Sequence, residues 1–194
     1  MTADIVIDFV SPAGIQALRD EIVDAYVDAY WERQKDPFRS VENYWSRVTQ
    51  YSAAPGFTAV TGRRAGGLEC YSFGFPLPVG ARWWNGLVSD VDSLFLEETG
   101  CRTFALAELA VRRRSQRRGC ARALHDSLLR QRPEERATLF VRPGNAPATS
   151  AYRRWGWRKI GEIQPTPESP HFDAMLLPLD PLRRGPISGE LAGS

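Results

Sequence analysis

The residues with the clearest chemical potential lie at positions 108–124. Glu108 interrupts an apolar strand, Thr103–Val111, between Ala107 and Leu109. A carboxylate withdrawn from water in such a strand holds its proton more tightly than in solution. That suits it to accept a proton near neutral pH, directly or through a water. An ion pair or a surface-facing strand position accounts for it equally well. Beyond the strand, Arg112, Arg113, Arg114, Arg117 and Arg118 crowd a loop that runs into a helix with Leu124, Leu128 and Leu129 on one face. The first-turn N–H groups of a helix lack helical partners, and the macrodipole makes that end positive. Gly119 and Ala121 are too small to hold a ligand away from those amides, so the loop suits a phosphate or pyrophosphate.

The order Gln116-Arg117-Arg118-Gly119-Cys120-Ala121 fits the Q/R-x-x-G-x-G/A signature of the GNAT superfamily of acyl-CoA-dependent acyltransferases, five residues after the strand-ending Val111. The context of strand, loop and helix is what such a motif requires. A second block follows an apolar strand at residues 137–141. Asn145, Ala148, Tyr152, Gly156 and Trp157 match the family's N-x-x-A-x-x-x-Y-x-x-x-G-F/W element at every spaced position. With both patterns in order, the chain resembles a GNAT acyltransferase over about residues 4–178.

The resemblance implies direct attack of an amine on the thioester of acetyl-CoA within a ternary complex, without a covalent acyl-enzyme. No Ser-His-Asp or Cys-His signature stands in the sequence to suggest otherwise. It further implies that Leu109, Ala110 and Val111 meet the pantetheine arm through their main chain, and that Gln116, Arg117, Arg118, Gly119, Cys120 and Ala121 hold the pyrophosphate. Asn145 and Ala148 belong to the coenzyme side. Tyr152 is the proton donor to the coenzyme A thiolate, and Glu108 is the candidate base. Two plainer readings stay beside these: a half-buried Tyr152 with its hydroxyl on backbone, and Asn145 in an Asx turn after Pro143-Gly144.

The periodicity of the remaining chain gives a strand at residues 4–10, then a helix opened by Ser11-Pro12 with Ile15, Leu18, Ile22, Tyr26 and Tyr30 at helical spacing. A second helix at residues 40–51 and a hairpin of strands at 57–61 and 68–75 follow. Residues 76–100 form the least regular part of the body. After the two motif regions come strands at 158–163 and 172–177. The order is that of an α/β (α+β mixed) GNAT fold: a mostly antiparallel sheet of about seven strands, splayed between the fourth and fifth, with about four helices. Residues 1–180 are expected to form one domain and 181–194 a flexible tail.

At 194 residues, with 43% hydrophobic and 25% charged residues, the composition is that of a globular protein. No apolar run approaches the roughly 20 residues of a membrane helix, and the N-terminus lacks a secretory signal's features, so a cytoplasmic location without membrane contact is the expectation. A formal charge of +2 is too small to imply a nucleic-acid partner. Cys70, Cys101 and Cys120 make neither a disulfide framework nor a metal site.

Secondary candidates are Glu69 and Asp173 as bases and His171 near the acceptor, with His125 read as structural. Trp83, Trp84, Phe73, Phe75, Tyr30, Trp31 and Trp45 form a possible aromatic lining, and Asp90, Asp92, Glu97 and Glu98 a possible attraction for a polyamine. The expected function is an N-acetyltransferase acting on a small amine or peptide. A non-catalytic acyl-CoA sensor with the same fold is the alternative. Homodimers are common in the family, so a dimer is a further possibility.

Overall fold

The computed structural model describes residues 5–33, 36–65 and 67–179; the expected tail at 181–194 lies outside them. Strand β1 (Val6–Val10) leads into α1 (Pro12–Ala17), whose cap Ser11 accepts from the Gly14 N–H at 3.0 Å. After an interruption of one residue at Leu18, α2 (Arg19–Ala29) continues, with Ile22, Ala25 and Tyr26 buried. Asp36 then caps a single 3-10 turn, Pro37–Arg39, and Ser40 caps α3 (Val41–Ser52).

Strands β2 (Thr58–Arg64) and β3 (Gly67–Pro76) pair antiparallel. The segment read as irregular holds β4 (Leu87–Val88) and a one-turn helix α4 (Ser93–Leu96). β5 (Thr103–Val111), α5 (Cys120–Leu129), β6 (Arg136–Val141), α6 (Ala146–Arg154), β7 (Arg158–Ile163) and β8 (Phe172–Pro178) complete the described chain.

All eight strands form one sheet in the order β1-β2-β3-β5-β6-β8-β7-β4. The additional strand is β4, which pairs with β7 at the far edge through two residues too short to show alternation. The helices exceed the expected number because α1 and α2 are separate and α4 is present. On one face, Leu124, Leu128 and Leu129 of α5 meet Leu106, Leu139 and Val141, with Trp157 beside them. On the other, Ile15, Ile22 and Tyr26 meet Tyr44 and Val48 of α3 over Tyr71 and Phe73. Both cores are apolar sides of amphipathic elements removed from water.

Among the described residues, β5 and β6 are the only parallel neighbours in the sheet. They pair at Thr103, Phe104 and Ala105 against Arg136, Ala137 and Thr138 and then part. From Leu106 onward the edge of β5 facing β6 has no strand on it, while its other edge stays bonded to β3 as far as Val111. The expected splay therefore lies between these two strands. A bulge accompanies it: Phe73 lies opposite Glu108 and Gly74 opposite Leu106, so Ala107 is an extra residue on β5.

Side chains along a strand alternate between faces, and one inserted residue reverses the alternation beyond it. Leu106 sits in the α5-side core, and without the bulge Glu108 would follow it there. With the bulge, Leu109 and Val111 take the α5 side, Ala110 packs on the α2–α3 side, and Glu108 turns toward Tyr30.

Candidate functional site

A cleft opens where β5 and β6 part. Tyr30, Arg39, Glu108, Asn145, Tyr152 and Phe172 are among its lining residues. The parting strands β5 and β6 and the first two turns of α6 line it, together with Tyr30 at the C-cap of α2 and Arg39 from the turn before α3. The loop before α5 lies beyond this lining.

In the loop before α5, a 3-10 turn, Arg113–Ser115, sits on a buried carboxylate. Glu69 accepts the Ser115 hydroxyl at 2.6 Å and the Arg114 guanidinium at 2.5–3.1 Å. Hydrogen bonding to Arg114 holds the Glu69 carboxyl below the usual carboxylate range. Glu69 thus fastens the loop and does not line the cleft. Arg112 pairs with Asp24 and Arg113 with Asp28. The expectation that the whole basic run surrounds a phosphate ligand is corrected accordingly: three of its arginines hold the loop to β3 and α2. Arg117 and Arg118 are exposed and have no acidic partner among the described residues.

The Gln116 side-chain amide donates to the Val111 carbonyl at 3.1 Å, closing the loop on the strand end. Arg117 at φ 59° and Gly119 at φ 81° take the left-handed conformation just before α5 begins. A Cβ on Gly119 would meet nothing within 4 Å. Backbone conformation therefore demands the glycine, and the space beside it is open. Cys120 is the first residue of α5 and its thiol is buried in the core, so only its main chain is available to the loop. Ala121 packs against the same core.

Glu108 is partly buried, and its Oε1 accepts the Tyr30 hydroxyl at 2.7 Å. Loss of hydration raises its carboxyl above the ordinary range. The Tyr30 bond and the positive charges of Arg39 and Arg47 oppose that shift without cancelling it. The Arg39 guanidinium lies over the Tyr30 ring, 4.1 Å from its centroid.

Tyr152 owes its position to the way α6 ends. Gly156 is left-handed at φ 96°; its N–H bonds the Arg153 carbonyl, and the Trp157 N–H bonds the Tyr152 carbonyl, both at 3.1 Å. This Schellman cap brings the Tyr152 and Trp157 rings to 5.8 Å. The spacing Tyr-x-x-x-Gly-Trp is therefore a C-cap that anchors the tyrosine. Trp157 in turn donates to His125 Nε2 at 3.0 Å, and His125 Nδ1 meets Asp126 at 2.9 Å, so His125 is a buried neutral strut. The Tyr152 hydroxyl makes no hydrogen bond to the described residues, and burial followed by the Glu108 charge raises its pKa well above that of free tyrosine.

Asn145 occupies the N-cap of α6 without a side-chain capping bond and lines the cleft, as does Ala148. Leu109 lines it from β5; Ala110 and Val111 are buried in the two cores and do not line it.

Asp173 is buried against Lys159 at 2.7 Å, and His171 is exposed in the preceding loop; neither lines the cleft. Trp83 stacks on Phe140 at 4.4 Å, and Trp84 is buried and donates to Glu98. Glu98 also bonds Thr103 and Arg136 in the interior, and Asp92 caps α4. The segment at 76–100 thus packs a third core beside the sheet. Of the aromatic residues expected around an acceptor, Tyr30 lines the cleft. Arg39, Arg142 and Phe172 were not anticipated. Arg39 stands in a proline-broken turn where periodicity carries no signal.

The sequence profile described as Acetyltransferase (GNAT) family matches residues 16–157. No curated protein matches the sequence. Among solved structures, PH1933 from Pyrococcus horikoshii OT3 is similar at a TM-score of 0.65 and 16% identity, covering 90% of this chain and 98% of its own. The ribosomal-protein-S18-alanine N-acetyltransferase from Escherichia coli gives 0.55 at 17% identity, covering 90% and 94%. The PaiA N-acetyltransferase from Thermoplasma acidophilum, solved in complex with coenzyme A, gives 0.55 at 12%, covering 90% and 99%. At such identities these likenesses speak for the fold, and the profile match speaks for the family. The chain belongs to the acetyltransferase (GNAT) family.

Proposed function

We propose that this protein transfers an acetyl group from acetyl-CoA to a primary amine by direct attack in a ternary complex. The observation that carries the reading is the placement of Glu108 and Tyr152 in one cleft at the parting of β5 and β6. The edge of β5 that faces the parting offers main-chain groups of Leu109 and the N–H of Val111 to the pantetheine arm, in the manner of an added strand, with Ala110 between them turned toward β3. The first turn of α5, with Gly119, Cys120 and Ala121 and the exposed Arg117 and Arg118, offers amides and charge to the pyrophosphate. Gln116 supports that turn from behind.

The incoming amine must lose a proton before its nitrogen can attack the thioester carbonyl. Glu108, with a carboxyl raised by burial, accepts that proton, and Tyr30 keeps the accepting group oriented. As the C–N bond forms and the C–S bond breaks, negative charge moves to sulfur. Tyr152, protonated throughout the working range, donates a hydrogen bond to that sulfur and its proton follows. Asn145 stands where it can order the pantetheine arm. An unbonded Tyr152 hydroxyl beside a base favours an enzyme over a sensor that only binds the coenzyme.

The test couples calorimetric titration of acetyl-CoA with a thiol-release assay over amines, amino acids and peptides. The reading expects saturable binding and release that depends on the acceptor. Absence of affinity for any acyl-CoA would remove it, and binding without release on any acceptor would favour the sensor.

A further inference from the structure

Two of the described arginines line the cleft; Arg142 is paired with Asp36, and Arg39, which acts on Glu108 through its charge, has no substrate group to meet in the proposed acetyl transfer. Partly buried arginines of this fold are mostly paired with acids: Arg63 with Glu21, Arg112 with Asp24, Arg132 with Glu134, Arg136 with Glu98, Arg142 with Asp36. Arg39, Arg47 and Arg64 are partly buried without an acidic partner among the described residues, and of these three only Arg39 lines the cleft. The Arg39 Nε is buried without a hydrogen-bond partner. Desolvating a guanidinium without an acid to meet it is costly, which makes the position informative.

Arg39 is also held in place. Its turn is closed by the Asp36 cap and by an Arg39 N–H bond to the Asp36 carbonyl at 2.8 Å. Its own carbonyl accepts the Tyr26 hydroxyl at 3.4 Å, and its guanidinium rests on the Tyr30 ring. Tyr30 and Arg39 line the splayed cleft and also an adjoining pocket bounded by Tyr26, Val27, Ser40, Val41 and Glu42. The two hollows share this pair as a threshold. Through the Tyr30 hydroxyl, bonded to Glu108 at 2.7 Å, this pair ties the outer hollow, beside α3, to the candidate base. Glu42, the one acid of the outer hollow, is exposed in the first turn of α3, where water and the helix N-terminus balance it.

Resting on the acetyl-transfer reading, we propose that the acceptor is a small amine that also carries a carboxylate, bound by Arg39 while its amine lies at Glu108. A guanidinium matches a carboxylate with a two-pronged fork, and a site screened from water strengthens that contact. The limit to small acceptors follows from what borders the cleft. Asp36 is paired with Arg142 at the end of β6, and Phe38 meets Phe172 at the start of β8, with centroids 5.9 Å apart. These contacts tie residues 36–38 to Arg142 and Phe172 of the cleft lining, which leaves less room on that side for a long acceptor.

The test is thiol release from acetyl-CoA with matched acceptors: amino acids against their carboxamides, and ω-amino acids of increasing length against plain alkylamines. The wild-type protein should favour the carboxylate-bearing member of a pair by at least about tenfold in kcat/KM. Arg39→Gln should reduce that preference by about ten- to a hundredfold, chiefly through KM. Arg39→Lys should retain part of it, as a point charge without the fork. An unchanged acetyl-CoA dissociation constant in both variants shows that fold and coenzyme side are intact. Carboxamides used as well as acids, or a preference that survives Arg39→Gln, would overturn the proposal while leaving acetyl transfer standing. Equal use of a peptide with an acidic first residue would overturn the limit to small acceptors. Coenzyme binding with no release from any pair would remove the acetyl-transfer reading, and this proposal with it.

Discussion

The side from β5 through α5 to α6 combines backbone conformation with side-chain ties at Glu69 and Gln116, whereas the side from α2 to α3 is placed by side chains and their caps. On the first side, left-handed glycines at 119 and 156 and a Schellman cap fix where the helices begin and end. On the second, Tyr30, Arg39, Asp36 and Phe38 are placed by a stacked guanidinium, one ion pair and an edge contact between rings. A backbone constraint admits few residue types and leaves a fixed spacing in the sequence. A side-chain constraint can be met in many ways and leaves none. On the proposed reading, the first side meets the coenzyme and the second meets the acceptor.

The sharpest way to break that division is to remove the residue that joins the two sides inside the cleft, Glu108 on the parting strand, bonded to Tyr30. Glu108→Gln should lower kcat by about 10²–10⁴-fold, the usual range for a general base. Glutamine can still accept the Tyr30 hydroxyl, so the fold should survive. The folded-state pKa of Glu108 is raised, so its protonated form is favoured in the fold. The stability this gives is present at low pH and lost as pH rises through that pKa. Melting curves should therefore show the variant gaining on the wild type as pH increases. In the wild type, kcat/KM should rise with pH through a midpoint above the ordinary carboxylate range. A flat profile, or full activity in the variant, would assign the base elsewhere.

Next in size is a change confined to the coenzyme side. Gly119→Val forces a β-branched residue to positive φ at a cost of about 1–3 kcal/mol, and it should weaken acetyl-CoA binding on the order of tenfold. Gly119→Asn tolerates that conformation better and should lose less. Equal losses would mean that size, rather than backbone conformation, selects the glycine. A smaller effect is expected at the loop's anchor. Glu69→Gln should cost about 1 kcal/mol, mostly from the buried Ser115 bond, because Arg114 is largely exposed. The lowered pKa of Glu69 means that its contribution is present above the unfolded value and fades as pH falls through the folded one. Acid melting curves of wild type and variant should converge. The smallest effect belongs to Arg117→Ala with Arg118→Ala: a rise of roughly two- to fivefold in the KM for acetyl-CoA at low salt, vanishing at high salt.

The same division decides what the sequence discloses. Gln116, Gly119, Asn145, Tyr152 and Gly156 are legible because turns and caps demand them at set distances. The strand order is legible because apolar periodicity survives in every long element, and β4 is missed because two residues show no period. Glu108 is visible as a carboxylate in an apolar strand, but its direction is not. The bulge at Ala107 decides which core it faces, and bulges of this kind have no residue signature here. Trp83 and Trp84 read as part of an acceptor lining because their loop is polar, yet they pack beside Phe140 and Glu98 and do not line the cleft. Arg39 and Tyr30 come together only through the fold of residues 31–40.

The measurement that bears most directly on the central claim is steady-state thiol release by Tyr152→Phe beside the wild type, with the acetyl-CoA dissociation constant of each. Phenylalanine keeps the ring packed on Trp155 and Trp157 and removes only the hydroxyl. A fall in kcat of about a hundredfold or more with unchanged coenzyme affinity is the predicted result. Equal kcat in the two proteins would contradict it: the cleft would still bind the coenzyme, and Tyr152 would be a packing residue.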